Sequence, residues 1–89
     1  MRFTWHEAKR EWNLKDHGLD FVDAREVFAG PTFTYQDDRF GYGEERFVTL
    51  GLLRGIVVSI VHTETPSRIH IISFRKATKH EQTILFKNL

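Results

Sequence analysis

Apolar residues fall at helical spacing in the first third of the chain, alternate with polar ones in the middle, and return to helical spacing at the end. Trp5, Ala8, Trp12 and Leu14 mark a first helix. Thr4 and Glu7 have the S/T-x-x-E spacing in which each side chain satisfies a free amide of the other's turn. Gly18 suits the left-handed position that ends a helix. A second helix follows, with Asp20 as its cap and Phe21, Ala24, Val27 and Phe28 at helical spacing. Gly30 and Pro31 stop it, because proline has no amide hydrogen and restricts the residue before it. After Pro31 the period is two. Thr32 to Gln36, Glu45 to Leu52, Ile56 to Thr63 and Arg68 to Arg75 read as strands. A polar loop from Asp37 to Gly43 and turns at Leu53-Arg54-Gly55 and Glu64 to Ser67 join them. Thr78 and Glu81 form a second capping box, and Ala77, Glu81, Ile84 and Leu85 share a face of the last helix.

Connections this short favour antiparallel hairpins, since a parallel crossover needs about a dozen residues or more. The expected architecture is therefore α+β: two N-terminal helices, a four-stranded antiparallel sheet and a C-terminal helix, in the order α-α-β-β-β-β-α. It forms a single domain over residues 1–89. Period two places Arg75 on the strand face of Ser73, Ile71 and Ile69, and Arg46 on the face of Val48 and Leu50. Trp5 and Trp12 fall on one helical face, as core residues do.

Composition narrows the function. Apolar residues make up 40% and charged residues 28%, a balance that folds rather than stays disordered. With no cysteine, a disulfide scaffold and a thiolate zinc site are excluded, and a reducing cytoplasm is the expected location. No apolar signal core follows Met1, and the longest apolar run, Ile56 to Val61, is broken by Ser59, so no membrane span is expected. Net charge is only +1, but residues 66–89 carry five basic groups (Arg68, Arg75, Lys76, Lys79 and Lys87) against Glu81 alone. That quarter is either a surface for an anionic ligand or a solvated helix and strand edge.

Three segments, in order and nearly spanning the chain, resemble the BrnT toxin family. Phe3-Thr4-Trp5, then Lys9, Asn13, His17-Gly18, Phe21, Ala24 and Phe28, is similar to the family's F-x-W-D, K and N-x-x-K-H-G-[hydrophobic]-x-F-x-x-A. Gly43-Glu44-Glu45-Arg46-Phe47 with Gly51 is similar to E-x-R-aromatic-x-x-x-G. Ile71-Ile72-Ser73-Phe74-Arg75-Lys76-Ala77-Thr78, with Glu81 beyond, is similar to I-I-S-x-R-x-A-T. The chain departs at His6, where the family has Asp, at Asp16, where it has Lys, and at Phe74, where Ala is usual. The resemblance implies a RelE-like fold with helices over one face of a twisted sheet. It also implies an RNA endonuclease toxin of a type II toxin–antitoxin system, working without metal or cofactor. The implied partner is a BrnA-type ribbon-helix-helix antitoxin, in a complex of two toxins with two antitoxins, which carries the pair to its promoter DNA.

RNA brings its own nucleophile, the 2′-hydroxyl. A metal-free nuclease must align it, help its proton leave and stabilise charge on the phosphoryl oxygens. Arginine suits the last task because its planar fork is always charged and matches phosphate bidentately. Arg75, at a strand end beside Lys76 and Lys79, is the leading cation. Arg46 and Glu45 fit either a catalytic role or a structural ion pair. His17 precedes Gly18 at a helix C-terminus, where it can cap the helix or exchange a proton. His62 and His70 can meet across a hairpin, as a structural pair or as RNA contacts. His6 and His80 read as solvated. Tyr42, with Phe40, sits in the Gly-flanked loop and can stack on a base or fold back over the sheet. With no H-E-x-x-H or comparable spacing, no metal site is expected. Without the family resemblance the residues support only a small α+β domain with a basic C-terminal patch. A non-catalytic module that binds nucleic acid or protein is then the competing reading. Growth arrest on expression separates the two.

Overall fold

The alternation after Pro31 builds four hairpin-linked strands, and the N-terminus adds a fifth from the opposite end of the chain. The computed structural model describes residues 1–38 and 43–89. Its elements are β1 (Arg2–Thr4), α1 (Glu7–His17), a 3-10 turn (Phe21–Asp23), α2 (Ala24–Ala29), β2 (Phe33–Asp37), β3 (Arg46–Leu53), β4 (Ile56–Thr65), β5 (Arg68–Lys76) and α3 (Lys79–Lys87). The sheet order is β1-β5-β4-β3-β2. β2 to β5 pair antiparallel with their sequence neighbours, whereas β1 runs parallel to β5, with Phe3 opposite Ile69.

This corrects the expected four-stranded antiparallel sheet behind two N-terminal helices. The sheet is five-stranded and mixed, within an α+β fold. The Thr4–Glu7 spacing is not a capping box. Thr4 belongs to β1 and its Oγ1 lies 2.8 Å from His70 Nδ1, while His6 occupies the N-cap with no side-chain bond. A three-residue strand paired across the whole length of the domain leaves no local periodicity to read. Asp20 does cap, accepting from the Val22 amide, but it starts the 3-10 turn that leads into α2. Gly18 ends α1 in the left-handed region at φ 72°.

The helices do not all cover one face, as the resemblance implied. The 3-10 turn and α2 bury Phe21, Ala24 and Val27 against Val58, Ile60, Ile69, Ile71 and Phe74, with Phe3, Trp5 and Phe28 closing the margin. Gly51 lets α2 approach closely, since a Cβ there would stand 2.6 Å from Val27 Cγ1. α3 lies on the opposite face and buries Leu85 against Val48 and Leu50. The division follows from strand alternation, with one correction. Pairing slips by one residue between Val61↔Ser73 and His62↔Ile71, leaving Ile72 unpaired with β4. Such a bulge resets the period. Ile69 and Ile71 therefore enter the α2 core, while Arg75, opposite Ser59 and in the row of Leu50, faces α3. The expected common face of Arg75 with Ile71 and Ile69 does not exist. Trp12 also departs from expectation: it is 63% exposed, while Trp5 packs edge-on to Phe21 at 6.3 Å just ahead of the helix.

β1 ends at Thr4, opposite His70, so the rest of β5 has a strand on its β4 side alone. Asn13 of α1 takes the other side. Its Nδ2 donates to the Phe74 carbonyl (2.7 Å) and the Leu19 carbonyl (3.0 Å), and its Oδ1 accepts the Phe74 amide (3.1 Å). The side chain is 2% exposed, so water cannot replace these bonds. Asn13→Ala should lower unfolding free energy by about 3 kcal/mol, because it strands buried backbone groups on β5 and in the connection after α1. The check is a urea titration: a midpoint shift at unchanged slope is expected. A loss under ~1 kcal/mol would show that the β5 edge finds other partners.

Candidate functional site

α3 covers only part of its sheet face. Strand register brings Phe33, Tyr35 and Asp37 of β2, Arg46 of β3, Val61 of β4 and Arg75 of β5 onto this side. A cleft of about 170 Å³ is lined by Tyr35, Asp37, Val48, Val61, Arg75 and Glu81, among others. A second depression, of about 530 Å³, is lined by Phe33, Tyr35, Arg75, Thr78, His80, Glu81 and Ile84. The two share Tyr35, Arg75 and Glu81, so they form one groove between β2 and the start of α3.

Arg75 and Glu81 are its centre. Arg75 Nη1 and Nη2 donate to the two carboxylate oxygens of Glu81 at 2.8 and 3.0 Å, and Nη1 also donates to the Lys76 carbonyl at 3.2 Å. The same carboxylate accepts the Thr78 amide at 2.9 Å, and the Thr78 hydroxyl accepts the Glu81 amide at 3.2 Å. The expected capping box is present, and it is also the support of the arginine. Glu81 is 9% exposed. Burial pulls its carboxyl upward, but the bonds from Arg75 and Thr78 outweigh this and hold it below the ordinary carboxylate range. It is a fixed anion. A guanidinium has five N–H groups, and the bonds to described residues use three. The two remaining, Nε–H and the second hydrogen of Nη2, lie along one edge of the fork, the geometry that meets two phosphate oxygens.

The other expected residues scatter around this centre. Arg46 faces the same side, opposite Asp37, with Nε 3.4 Å from Glu44. It lies four residues along β3 from the row of Arg75, an offset of about 13 Å, so the two arginines bracket the face rather than share one ligand atom. Glu45 is exposed just before β3. Lys76 is exposed and pairs with Val58, which puts it on the opposite face from Arg75. Lys79 opens α3 and lines its outer side with Phe86 and Lys87. His17 ends α1, 3.3 Å from Asp16 and edge-on to Trp12 at 6.1 Å. Tyr42 and Phe40 lie outside the described residues.

His62 and His70 do not meet. Register sets His62 opposite Ile71 and His70 opposite Thr63, on opposite faces. His62 is 1% exposed, accepts or donates at Thr49 Oγ1 (2.8 Å) and lies between the Phe28 and Phe47 rings. Burial pushes its imidazole down to about 4, so it is a neutral core residue at neutral pH. His70 touches Thr4 and stands edge-on to His6 at 5.3 Å. Burial and the charges of His6 and Arg68 lower its affinity for a proton.

Sequence reasoning missed Tyr35 and Asp37 as site residues, and it saw Glu81 only as a cap. A signal was available. Alternation through Phe33-Thr34-Tyr35-Gln36-Asp37 puts two aromatics and a carboxylate on one face, and Asp37 is 5% exposed there. A buried acid ending an aromatic strand face is uncommon without a partner or a task.

Comparison with known proteins agrees with the architecture. A family model described as "Ribonuclease toxin, BrnT, of type II toxin-antitoxin system" matches residues 5–81. No curated protein matches the chain. Among solved structures, the 1.1 Å crystal structure of the Brucella abortus ribonuclease toxin BrnT is similar with a TM-score of 0.72 and 28% identity, over 89% of this chain and 99% of that one. The matched segment reaches from Trp5 to Glu81 and so contains both halves of the Arg75–Glu81 pair. The chain belongs to the BrnT family, the ribonuclease toxins of type II toxin–antitoxin systems.

Proposed function

We propose that this toxin is an endonuclease that cleaves RNA without a metal, by in-line attack of the 2′-hydroxyl, with Arg75 holding the scissile phosphate. The observation that carries the reading is the edge of Arg75 left over by Glu81. Glu81 orients the guanidinium, and the Nε–H and Nη2–H edge meets the phosphoryl oxygens as charge builds on them. Because Arg75 is fixed before substrate arrives, little reorganisation accompanies the reaction. Tyr35 and Asp37 line the same cleft with groups that can give or take a proton, and His80 stands at the wider end. Arg46 lies toward the far end of the face, where its guanidinium can meet a flanking phosphate. Lys76 and Lys79 add to the long-range field rather than to the reacting phosphate.

The antitoxin in this reading is a ribbon-helix-helix protein of the BrnA type. Two copies bind two toxins, block the groove and carry the complex to promoter DNA. The site of action is the cytoplasm, and among the described residues no helix is long and apolar enough to cross a membrane. Co-expression of the antitoxin should release growth arrest, and light scattering should give the mass of a two-to-two complex. A complex that leaves the groove open to RNA would contradict this part of the reading.

Incubated with total RNA in EDTA, the purified protein should still cut, leaving 2′,3′-cyclic phosphate or 3′-phosphate ends. Loss of cutting in EDTA, with recovery on adding magnesium, would overturn the metal-free mechanism. A protein that arrests no growth and cuts no RNA would favour the binding module instead.

Arg75→Ala should reduce cleavage a few hundred-fold, the equivalent of roughly 3–4 kcal/mol of transition-state stabilisation. It should also lower thermal stability, because it leaves the buried Glu81 carboxylate with one fewer partner. Arg75→Lys should recover stability better than activity, since an ammonium keeps the charge and loses the fork. Rates are compared at a temperature where each variant is folded. A folded Ala variant cutting within about threefold of wild type, a deficit under ~1 kcal/mol, would remove Arg75 from the reaction.

A further inference from the structure

We propose that Trp12 and Lys9 form a second nucleotide subsite, in which one base of single-stranded RNA stacks on the indole and a neighbouring phosphate meets the ammonium. The inference rests on the ribonuclease reading above and extends it to a position outside the Arg75 groove.

Periodicity expects Trp12 to be a core residue, yet it is 63% exposed on α1. An indole this exposed presents a flat aromatic surface to solvent, on which a base can stack. The ring borders a depression of about 390 Å³, lined also by Ala8, Lys9, Asn13, Ile72 and Ser73. That space is large enough for one nucleotide, and its composition suits one. It has an aromatic wall, an aliphatic floor, one hydroxyl and one cation.

Two features make the depression rigid and place it relative to the groove. Asn13 locks this stretch of α1 to the backbone of β5 at Phe74. The bulge at Ile72 keeps Ile72 and Ser73 out of the α2 core. Ser73 is two residues before Arg75 on the same strand, a separation of about 7 Å. A strand of RNA with its phosphate on Arg75 thus needs only to continue along β5 to bring a flanking base to Trp12. Aromatic stacking serves any base, so the subsite would add affinity and set the reading frame of the chain rather than select a sequence.

The probe is a single-stranded 2′-O-methyl oligoribonucleotide of mixed sequence, about eight nucleotides long, which cannot be cut by 2′-hydroxyl attack. Wild type should bind it with quenching of tryptophan emission. Trp12→Leu should lose most of the quenching and bind roughly tenfold more weakly, and Trp12→Phe should restore most of the affinity. Lys9→Ala should weaken binding and reduce the salt slope by about one. With cleavable RNA, Trp12→Leu should raise KM and leave kcat near wild type. Wild-type affinity and KM in a folded Trp12→Leu variant would overturn the subsite, as would binding that leaves the emission unchanged. Quenching by the antitoxin but not by the oligonucleotide would overturn it too and assign the indole to the protein partner. Quenching by the oligonucleotide in a wild type that cuts no RNA would support the subsite and overturn the nuclease reading, so the two fail separately.

Discussion

The carboxamide of Asn13 is the interaction on which the rest of the molecule depends. β1 stops after three residues, and β5 continues beyond it with no strand on that side. An unpaired edge of that kind either recruits another chain or must be covered. Asn13 covers it from α1 and binds the Leu19 carbonyl at the same time, so one side chain fixes the helix, the following turn and the last strand. It holds β5 at Phe74, the residue before Arg75. The same contact fixes the stretch of α1 that carries Trp12, while pairing with Ser59 and the bonds to Glu81 aim Arg75 to the other face.

A second economy appears at the start of α3. Its capping glutamate would ordinarily satisfy only backbone amides. Here the same carboxylate also orients Arg75, so the helix N-terminus and the cation are one unit. Glu81 neutralises part of the charge it positions. What reaches a phosphate is therefore a directed pair of donors more than a diffuse basic field, which accounts for a cationic site on a chain of net charge +1. His62 shows the contrasting use of burial: nothing anionic supports it, and it stays uncharged against Phe28 and Phe47.

How much of this was legible in the sequence depended on the range of the interaction. Most signals confined to a few residues read through correctly: Gly18 ending α1, Asp20 capping the next turn, the Thr78–Glu81 box and the strand runs after Pro31, but not the Thr4–Glu7 spacing. Features made by contacts across the chain did not. β1 exists only because β5 lies beside it, more than sixty residues later. The bulge at Ile72 defeated strict alternation and misplaced the neighbours of Arg75. Trp12 followed the helical period but falls outside the layer that α2 and the 3-10 turn bury. At the site, Arg75 was visible through its motif, but its pairing with Glu81 was not, because a strand end and a helix cap were read as separate elements. Tyr35 and Asp37 carried a readable alternation, obscured by placing Asp37 in the loop.

The central claim is that Arg75 offers a phosphate the edge that Glu81 leaves open. Arginine side-chain NMR tests it most directly, by following the Nε–H resonances while a non-cleavable oligonucleotide is added. The account predicts that the Arg75 Nε–H signal shifts and its exchange with water slows on binding. Its Nη bonds to Glu81 should persist, so the helix cap at Thr78 stays unperturbed. An Arg75 signal unmoved at saturation, with the shift appearing at another arginine, would contradict the account and move the phosphate site elsewhere.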